Sequence, residues 1–524
     1  MNHGARIVSG IALFVASQAA AQPNVGVEQM WANSCARCHG ENGEGGGAGT
    51  RTLLSPELYD PLRGDELDRR FFTATKDGVP DTAMPGFGDT LRDEQIWALV
   101  NHIREKQATA LRKQSGSPKA VGGVFTTQRA SFRLETIVHE GLELPWAVEF
   151  LPDGRLLITE RKGTLRLFTP GPDKGELSEP IAGTPLVRNY GQGGLMDVAL
   201  HPNYAEPGNG WVYLAFTDPS STATPDRGPG MTKVVRGKLR EQSAPRVNGA
   251  PAGVVEWTEP QTIFEAKRAH YLDTALHFGC KLAFQPAGDK GHFLYFGIGE
   301  RGRAEMAQDL KRPNGKVHRV WDDGRLPADN PFADQPDAYA SIWSFGHRNP
   351  QGLIFDLKGN LWDTEHGPRG GDELNLIRRG ANYGWPTVSY GINYNGAPLR
   401  TPWPEIVSNQ GRGHEGNVAD IAMPAFRWMP SIGACGLTVV QPGPKGEAFP
   451  AWRGDLLAGG LSGSNVDRLR VEVGADGVGR VVEREEIVHG RGRVRDVRCA
   501  PDGSIYVVLN GPDRIIRLAP VSTP

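Results

Sequence analysis

Residues Gly193–Phe216 read GGLMDVALHPNYAEPGNGWVYLAF. An alternating run leads into a turn rich in Pro, Asn and Gly, and a second apolar run follows. Two antiparallel strands joined by a loop give this pattern. The unit recurs: LPWAVEFLPDGRLLITER begins at Leu144, HFGCKLAFQPAGDKGHFLYFGIGE at His277 and RNPQGLIFDLKGNLWDTEHGP at Arg348. CGLTVVQPGPKGEAFPAWRGDLLAGGL begins at Cys435, and VRDVRCAPDGSIYVVLNG at Val494. A sandwich or barrel would also hold such hairpins, but repeats of this length suit the blades of a radial array, where each sheet buries both faces against its neighbours. The reading is mainly β: a six-bladed β-propeller over residues 131–522, the first strand of each unit lining the axis. FRLETIVHE (Phe132–Glu140) precedes the first unit and is placed to pair with the last blade and close the ring.

The chain has 524 residues, enough for more than one domain. Its 58 Lys and Arg against 60 Asp and Glu leave a net charge of -2, which gives no electrostatic case for nucleic acid or an anionic membrane as partner. Gly (68) and Pro (40) make about a fifth of the chain, and their spread over short apolar runs reads as many turns. Residues 1–21, MNHGARIVSGIALFVASQAAA, carry one arginine, an apolar run and small residues, the pattern of a secretory signal cut after Ala21. The run falls short of the ~20 residues a bilayer span needs. No later segment is apolar enough to cross a membrane, so the mature chain is expected in the periplasm.

NSCARCHGENGEG begins at Asn33. In an exported protein C-x-x-C-H reads as covalent haem attachment, with Cys35 and Cys38 forming thioethers and His39 supplying the proximal nitrogen. A redox dithiol or half a zinc site are the other uses of such cysteines. The distal ligand is expected to be Met84, in the Pro/Gly loop DTAMPGFGDTL, because Met30 precedes Cys35 on the proximal side. LRDEQIWALVNHIREK then sets Ile96, Leu99, Val100 and Ile103 at helical spacing. Residues 25–107 thereby resemble a class I cytochrome c, a small all-α domain. Residues 108–130 lack apolar periodicity and read as a linker.

Polar clusters sit where loops join the blades. SFGHRNPQG holds His347, Arg348 and Asn349; TEHGPRGGDELNLI holds Glu365, His366, Asp372 and Glu373; GRGRVRDVR holds Arg491, Arg493, Arg495 and Asp496. Arginine forks suit a planar anionic ligand, and carboxylates with loop carbonyls suit Ca²⁺. From the residues alone His277, His347 and His366 are all candidate bases.

GQGGLMDVALHPNY, HFGCKLAF, LPADNPF, SFGHRNPQG, EHGPRGGDELNLI, NYGWP and RVRDV together resemble the soluble aldose (glucose- and sorbosone-type) dehydrogenases that use pyrroloquinoline quinone, PQQ. The resemblance runs over residues 132–519 and selects His277 as catalytic base, taking the proton of the anomeric hydroxyl while hydride passes to the cofactor. It implies PQQ contacts at Gln192, Arg348, Asn349, Arg493 and Arg495, with Arg348 also stabilising charge on the quinone oxygen. It implies Ca²⁺ held by the carbonyls of Gly367 and Pro368, with further calcium ligands at Glu373 and Tyr383. Two positions depart from the family pattern: Ser462 stands where a lysine usually contacts PQQ, and Leu276 where the glucose-oxidising branch has an acid.

The expected function is a quinohaemoprotein dehydrogenase. It oxidises an aldose to a lactone and feeds its own haem c, which passes electrons to a downstream acceptor. A sorbosone or alcohol dehydrogenase, a calcium-dependent lactone hydrolase and a haem-bearing sensor are the rivals. Cys280, Cys435 and Cys499 are an odd set, compatible with one disulfide and a thiol or with three buried thiols.

Overall fold

The computed structural model describes residues 25–46, 51–172, 174–221, 227–242, 254–399 and 421–521. The expected signal segment, 1–21, lies outside the described residues.

The repeated hairpins form six antiparallel sheets. The inner strands are Pro145–Phe150, Leu195–Leu200, Leu282–Pro286, Pro350–Phe355, Ala434–Val439 and Arg493–Cys499, each touching the next around a closed ring. Within every blade the chain steps outward strand by strand, as the sheet order shows. Apolar side chains fill the wedges between blades: Tyr213, Phe278 and Phe296 pack between the second and third, Trp362, Leu437 and Leu456 between the fourth and fifth.

The ring closes as the sequence predicts. Ser131–Val138 joins the last blade beside Arg514–Pro520, in antiparallel register from Phe132 opposite Pro520 to Val138 opposite Ile515. The last blade is thereby built from both ends of the propeller segment, which locks the ring shut. Phe132 is fully buried and lies 5.3, 6.4 and 6.1 Å, ring to ring, from Phe125, Phe449 and Trp452.

Along the axis the converging strands bury charge instead. Lys281 Nζ donates to Asp197 at 3.0 Å and pairs with Asp496 at 2.9 Å. Asp197 also accepts from the Leu282 amide at 2.8 Å. Buried charges are tolerated when paired and hydrogen-bonded, and these tie the second, third and sixth blades together.

Residues 25–46 and 51–115 form the helical domain: α1 (Val27–Ser34), α2 (Ala36–His39), α3 (Gly64–Asp77) and α4 (Asp93–Ser115). The periodic residues Ile96, Leu99, Val100 and Ile103 of α4 are buried, and several pack with Val27, Met30, Trp31 and Phe71. Asp93 and Glu94 lie in the first turn, where the helix dipole favours acids. The segment read as a linker is largely ordered: α4 runs on to Ser115, and Phe125–Thr126 pairs with Ser131–Phe132. Its alanines, lysines and arginines extend a helix without an apolar stripe because good helix formers need no burial on an exposed face. Among the described residues no helix is long and apolar enough to cross a membrane.

Candidate functional site

At one end of the axis, residues from all six blades surround a cavity of about 510 Å³, within the range of cofactor sites. Arg161, Gln192, Asn349, Gly367, Pro368, Arg493 and Arg495 line it, with Trp146, Phe278, His366 and Ser462. Six residues named from the sequence as PQQ or calcium contacts therefore meet in one place.

His277 and Arg348 adjoin this cavity. His277 opens the third unit with φ 51°, a left-handed conformation that side chains other than glycine rarely adopt and that clusters at functional sites. Its amide donates to Gln192 Oε1 at 2.9 Å, and its carbonyl accepts from the Arg301 amide at 3.2 Å. Gly299 must be glycine, since a Cβ there would stand 2.4 Å from the His277 carbonyl oxygen. His277 Nδ1 pairs with the Glu300 carboxylate. An imidazole donating Nδ1–H to a carboxylate keeps Nε2 as its acceptor. Burial, then the Arg348 charge, hold the His277 pKa below the usual histidine range, with Glu300 opposing them. His277 is therefore neutral near pH 7.

Arg348 donates from Nη1 to the carbonyls of His366 (3.1 Å) and Gly367 (2.8 Å), and its buried Nε has no partner. Asn349 Oδ1 accepts from the Gly279 amide at 3.0 Å while its Nδ2 lies 3.4 Å from His366 Nδ1. His366 Nε2 is buried and unpartnered, and burial and neighbouring Arg348 push its pKa well down. Arg495 lies over the Trp146 ring at 4.0 Å. Burial lowers its pKa, and repulsion from Arg493 and Arg161 adds to this. Arg161 bonds the Gly191 carbonyl at 2.9 Å, leaving its Nε without a partner.

Among the described residues no carboxylate pairs with Arg161, Arg493 or Arg495. A wall of unpaired guanidinium groups with idle donors at Arg161, Arg348 and His366 fits a flat polyanion such as PQQ, which carries three carboxylates. Ser462 shortens the reach at one point of that wall, and Arg161 supplies a cation the sequence reading did not assign.

Gly367 and Pro368 line this cavity, and carbonyl oxygens are ligands that fit a hard cation; Ser431 Oγ donates to the Pro368 carbonyl at 3.2 Å. Glu373 and Tyr383 are elsewhere. Glu373 stands opposite Glu365 in the fourth blade. Tyr383 stacks on His347 at 4.5 Å and donates its hydroxyl to the Leu376 carbonyl at 2.6 Å. Beside them both carboxylate oxygens of Asp363 and the Oδ1 of Asn375 are buried without donors. Burial, then the neighbouring Glu365, push the carboxyls of Asp363 and Glu373 well up. Ligand atoms of His347, Asp363 and Glu365 lie within 4.8 Å of one another. Orphaned acceptors and crowded carboxylates suit a second cation, separate from the cavity.

In the helical domain one turn gathers the haem residues: the His39 amide donates to the Cys35 carbonyl at 2.9 Å and the Cys38 amide to the same oxygen at 3.1 Å. Burial and neighbouring Cys38 push the Cys35 thiol up to about 11. The buried Nδ1 of His39 has no partner. The Met84 loop is laid against α3, its carbonyl accepting from the Val79 amide at 3.2 Å. Gly78, at φ 80°, permits the approach, since a Cβ would lie 2.9 Å from the Met84 oxygen. Two thiols and an imidazole on one turn fit haem c. Cys280, Cys435 and Cys499 are free thiols, so no disulfide joins them. His201 serves its turn, Nδ1 accepting from the Asn203 amide at 3.1 Å.

Residues 142–517 match the family model of glucose/sorbosone dehydrogenases, and residues 25–103 that of cytochrome c oxidase, cbb3-type, subunit III. Aldose sugar dehydrogenase YliI of Escherichia coli (strain K12) is 37% identical over 377 residues, covering 71% of this chain and 89% of the relative. A crystal structure of a glucose dehydrogenase shares 37% identity at a TM-score of 0.61, over 74% of this chain and 99% of its own. The PQQ-bound aldose sugar dehydrogenase of Streptomyces coelicolor shares 26% at 0.54, over 75% of this chain and 99% of its own. With its six blades, its arginine-lined cavity and the helical domain in front, the chain belongs to the glucose/sorbosone dehydrogenase family and carries an N-terminal cytochrome c domain.

Proposed function

We propose that this oxidoreductase is a periplasmic quinohaemoprotein that oxidises an aldose at its anomeric carbon to the lactone and passes the electrons to its own haem c. The observation that carries the reading is an unpaired arginine wall in one cavity with a His–Glu pair adjoining it at Gln192. When bound there, PQQ supplies the hydride acceptor and Ca²⁺ a Lewis acid. Gln192, Arg161, Arg493 and Arg495 hold the cofactor, and the Gly367 and Pro368 carbonyls hold the ion.

His277 takes the proton of the anomeric hydroxyl on Nε2. Glu300 keeps Nδ1 protonated and stabilises the imidazolium as it forms, the role a carboxylate plays behind a catalytic histidine. Arg348 sets a positive charge beside the reacting groups, where negative charge develops. Burial, then Arg348, push the pKa of neighbouring His366 well down, which makes it a weak proton acceptor.

The test is reconstitution of full-length protein carrying haem c with Ca²⁺, with and without PQQ, followed by aldoses, sorbosone and simple alcohols while the haem band is watched. PQQ-dependent haem reduction by aldoses is expected. Lactone hydrolysis without PQQ, or haem that stays oxidised with every substrate, sinks the reading. Fractionation of cells tests export.

A further inference from the structure

We infer that the cytochrome domain is a fixed wall of the sugar cavity, clamped there by Arg369 and Arg427, and that electrons reach the haem across this clamp. The inference rests on the proposed dehydrogenase reading for its substrate and on the interface for its geometry.

Arg369 directly follows the cavity carbonyls of Gly367 and Pro368. Its backbone is locked to Ile392 by a pair of hydrogen bonds of 3.0 and 2.9 Å. Its guanidinium grips Glu105 of α4 with two bonds, 2.8 and 2.7 Å, and Glu28 of α1 at 2.6 Å. Such bidentate pairs fix geometry as well as charge. Glu105 itself lines the cavity, so the helical domain closes part of its wall.

A second grip lies beside it. Arg427 binds Asp65 and, at 2.7 Å, Asp68; fully buried Asp68 also binds Arg104 at 2.7 Å. Close backbone contact fills the space between. Asn101 donates to the Tyr390 carbonyl at 2.7 Å, and a Cβ at Gly370 would lie 2.5 Å from Asn101 Oδ1. The Val27 amide donates to the Gly396 carbonyl at 3.0 Å, and propeller residue Ile392 is buried in the apolar core of the helical domain. A domain swinging on a tether makes no such buried set.

The contacts run on toward the haem residues. Glu105 lies 3.7 Å from His102. The His102 ring is 5.6 Å from Trp31, and Trp31 is 6.3 Å from His39. Each sugar loses two electrons and two protons as its C1–H and O–H bonds break and a C=O bond forms. A haem held by Cys35, Cys38 and His39 would supply a one-electron site that takes these two electrons in turn, cycling between ferric and ferrous. An external one-electron acceptor, such as an oxidised cytochrome, reoxidises it between the two, and the protons pass to solvent. Arg369 and Arg427 are positioning residues in this scheme.

The test uses full-length protein loaded with haem c, PQQ and Ca²⁺, and the double variant Glu28→Lys, Asp65→Lys. Both side chains are more than half exposed and neither lines the cavity. A protease site placed at the exposed turn Gly122–Gly123 allows the connection to be cut. Cut wild-type halves are expected to co-elute and the cut variant's to separate. In the uncut variant, sugar oxidation at saturating sugar with a small dye acceptor should stay within about twofold of wild type, while stopped-flow haem reduction slows at least about tenfold. Separation of the cut wild-type halves, co-elution of the cut variant, or wild-type haem reduction in the uncut variant each overturns the inference. Failure of dye-linked oxidation in the wild type would instead overturn the dehydrogenase reading, and co-elution would still report the clamp.

Discussion

Glu300→Gln removes the charge facing His277 Nδ1 while keeping the side chain's shape. As His277 accepts a proton its imidazole becomes an imidazolium, and the hydrogen bond to Glu300 becomes one between charges. A hydrogen bond to a charged group contributes about 1.5–3 kcal/mol, and burial of this pair sets the expectation at the upper end. At about 1.4 kcal/mol per tenfold in rate, kcat should fall roughly 10- to 150-fold. KM should hold, because Glu300 does not line the cavity. The pH profile gives an independent sign. Burial and Arg348 lower the His277 pKa and Glu300 raises it, so the folded value lies below the usual 6.5. Activity that needs neutral His277 is present above that pKa and is lost as pH falls through it. Removing the Glu300 charge takes away a raising influence, so the acid limb of kcat/KM should move to still lower pH even as the rate drops. Dye-linked initial rates measured across the acid range read both effects. A wild-type kcat, or a limb that moves upward, would refute the reasoning.

Arg495→Ala deletes a cation that no carboxylate of the described residues pairs, and the Kd for PQQ should rise about 10- to 100-fold by fluorescence titration, the loss of one charged hydrogen bond; unchanged affinity would remove Arg495 from the site. Phe132→Ala opens a void in the closing strand and should cost about 3–5 kcal/mol, seen as a lower urea midpoint, whereas a change under 1 kcal/mol would mean the ring is not held there. With calcium chelated, Asp363 and Glu373 have pKa values raised above their unfolded ones, so the folded state binds more protons and stability is lost as pH rises through the folded values. The chelated protein should therefore melt higher near pH 5 than near pH 7.5, with added calcium restoring the neutral-pH Tm; a melting point indifferent to both would show that no cation binds the cluster.

The blades were legible because each unit carries its own hairpin within some twenty residues, and the closing strand because one apolar stretch preceded six complete units. The turn that gathers the expected haem residues was equally local, since Cys35, Cys38 and His39 need only one turn to meet. Glu300 was missed although it ends the same unit that His277 begins. The register supplied the signal: extending the Leu282–Phe296 pairing four residues outward sets Phe278 opposite Glu300, one residue from His277. Arg161 ends the first unit in the same way, and its carbonyl accepts from the Leu195 amide that starts the next inner strand. Arg369 and Glu105 carried no such signal. They are separated by 264 residues, and their pairing exists only once two domains are packed. The linker reading missed a helical extension because its residues lie on an exposed face, where helix formers need no apolar stripe.

Two kinds of buried charge separate structure from function in this propeller. At the axis Lys281 lies between Asp197 and Asp496, each of which accepts further hydrogen bonds, so the chain satisfies its own charges. At the mouth burial and the nearby charges of Arg493 and Arg161 lower the pKa of Arg495, and among the described residues no carboxylate pairs with any of the three. Pairing is what makes buried charge tolerable, and a site that withholds the partner holds its donors ready for a ligand that brings it. The arginine wall therefore costs the empty protein stability that the axis does not lose. It follows that a polyanion filling the mouth should raise the melting temperature, and that neutralising Arg495 should stabilise the empty protein while abolishing most of that gain. An Arg495 variant that is less stable when empty would place this arginine with the structural charges of the axis instead.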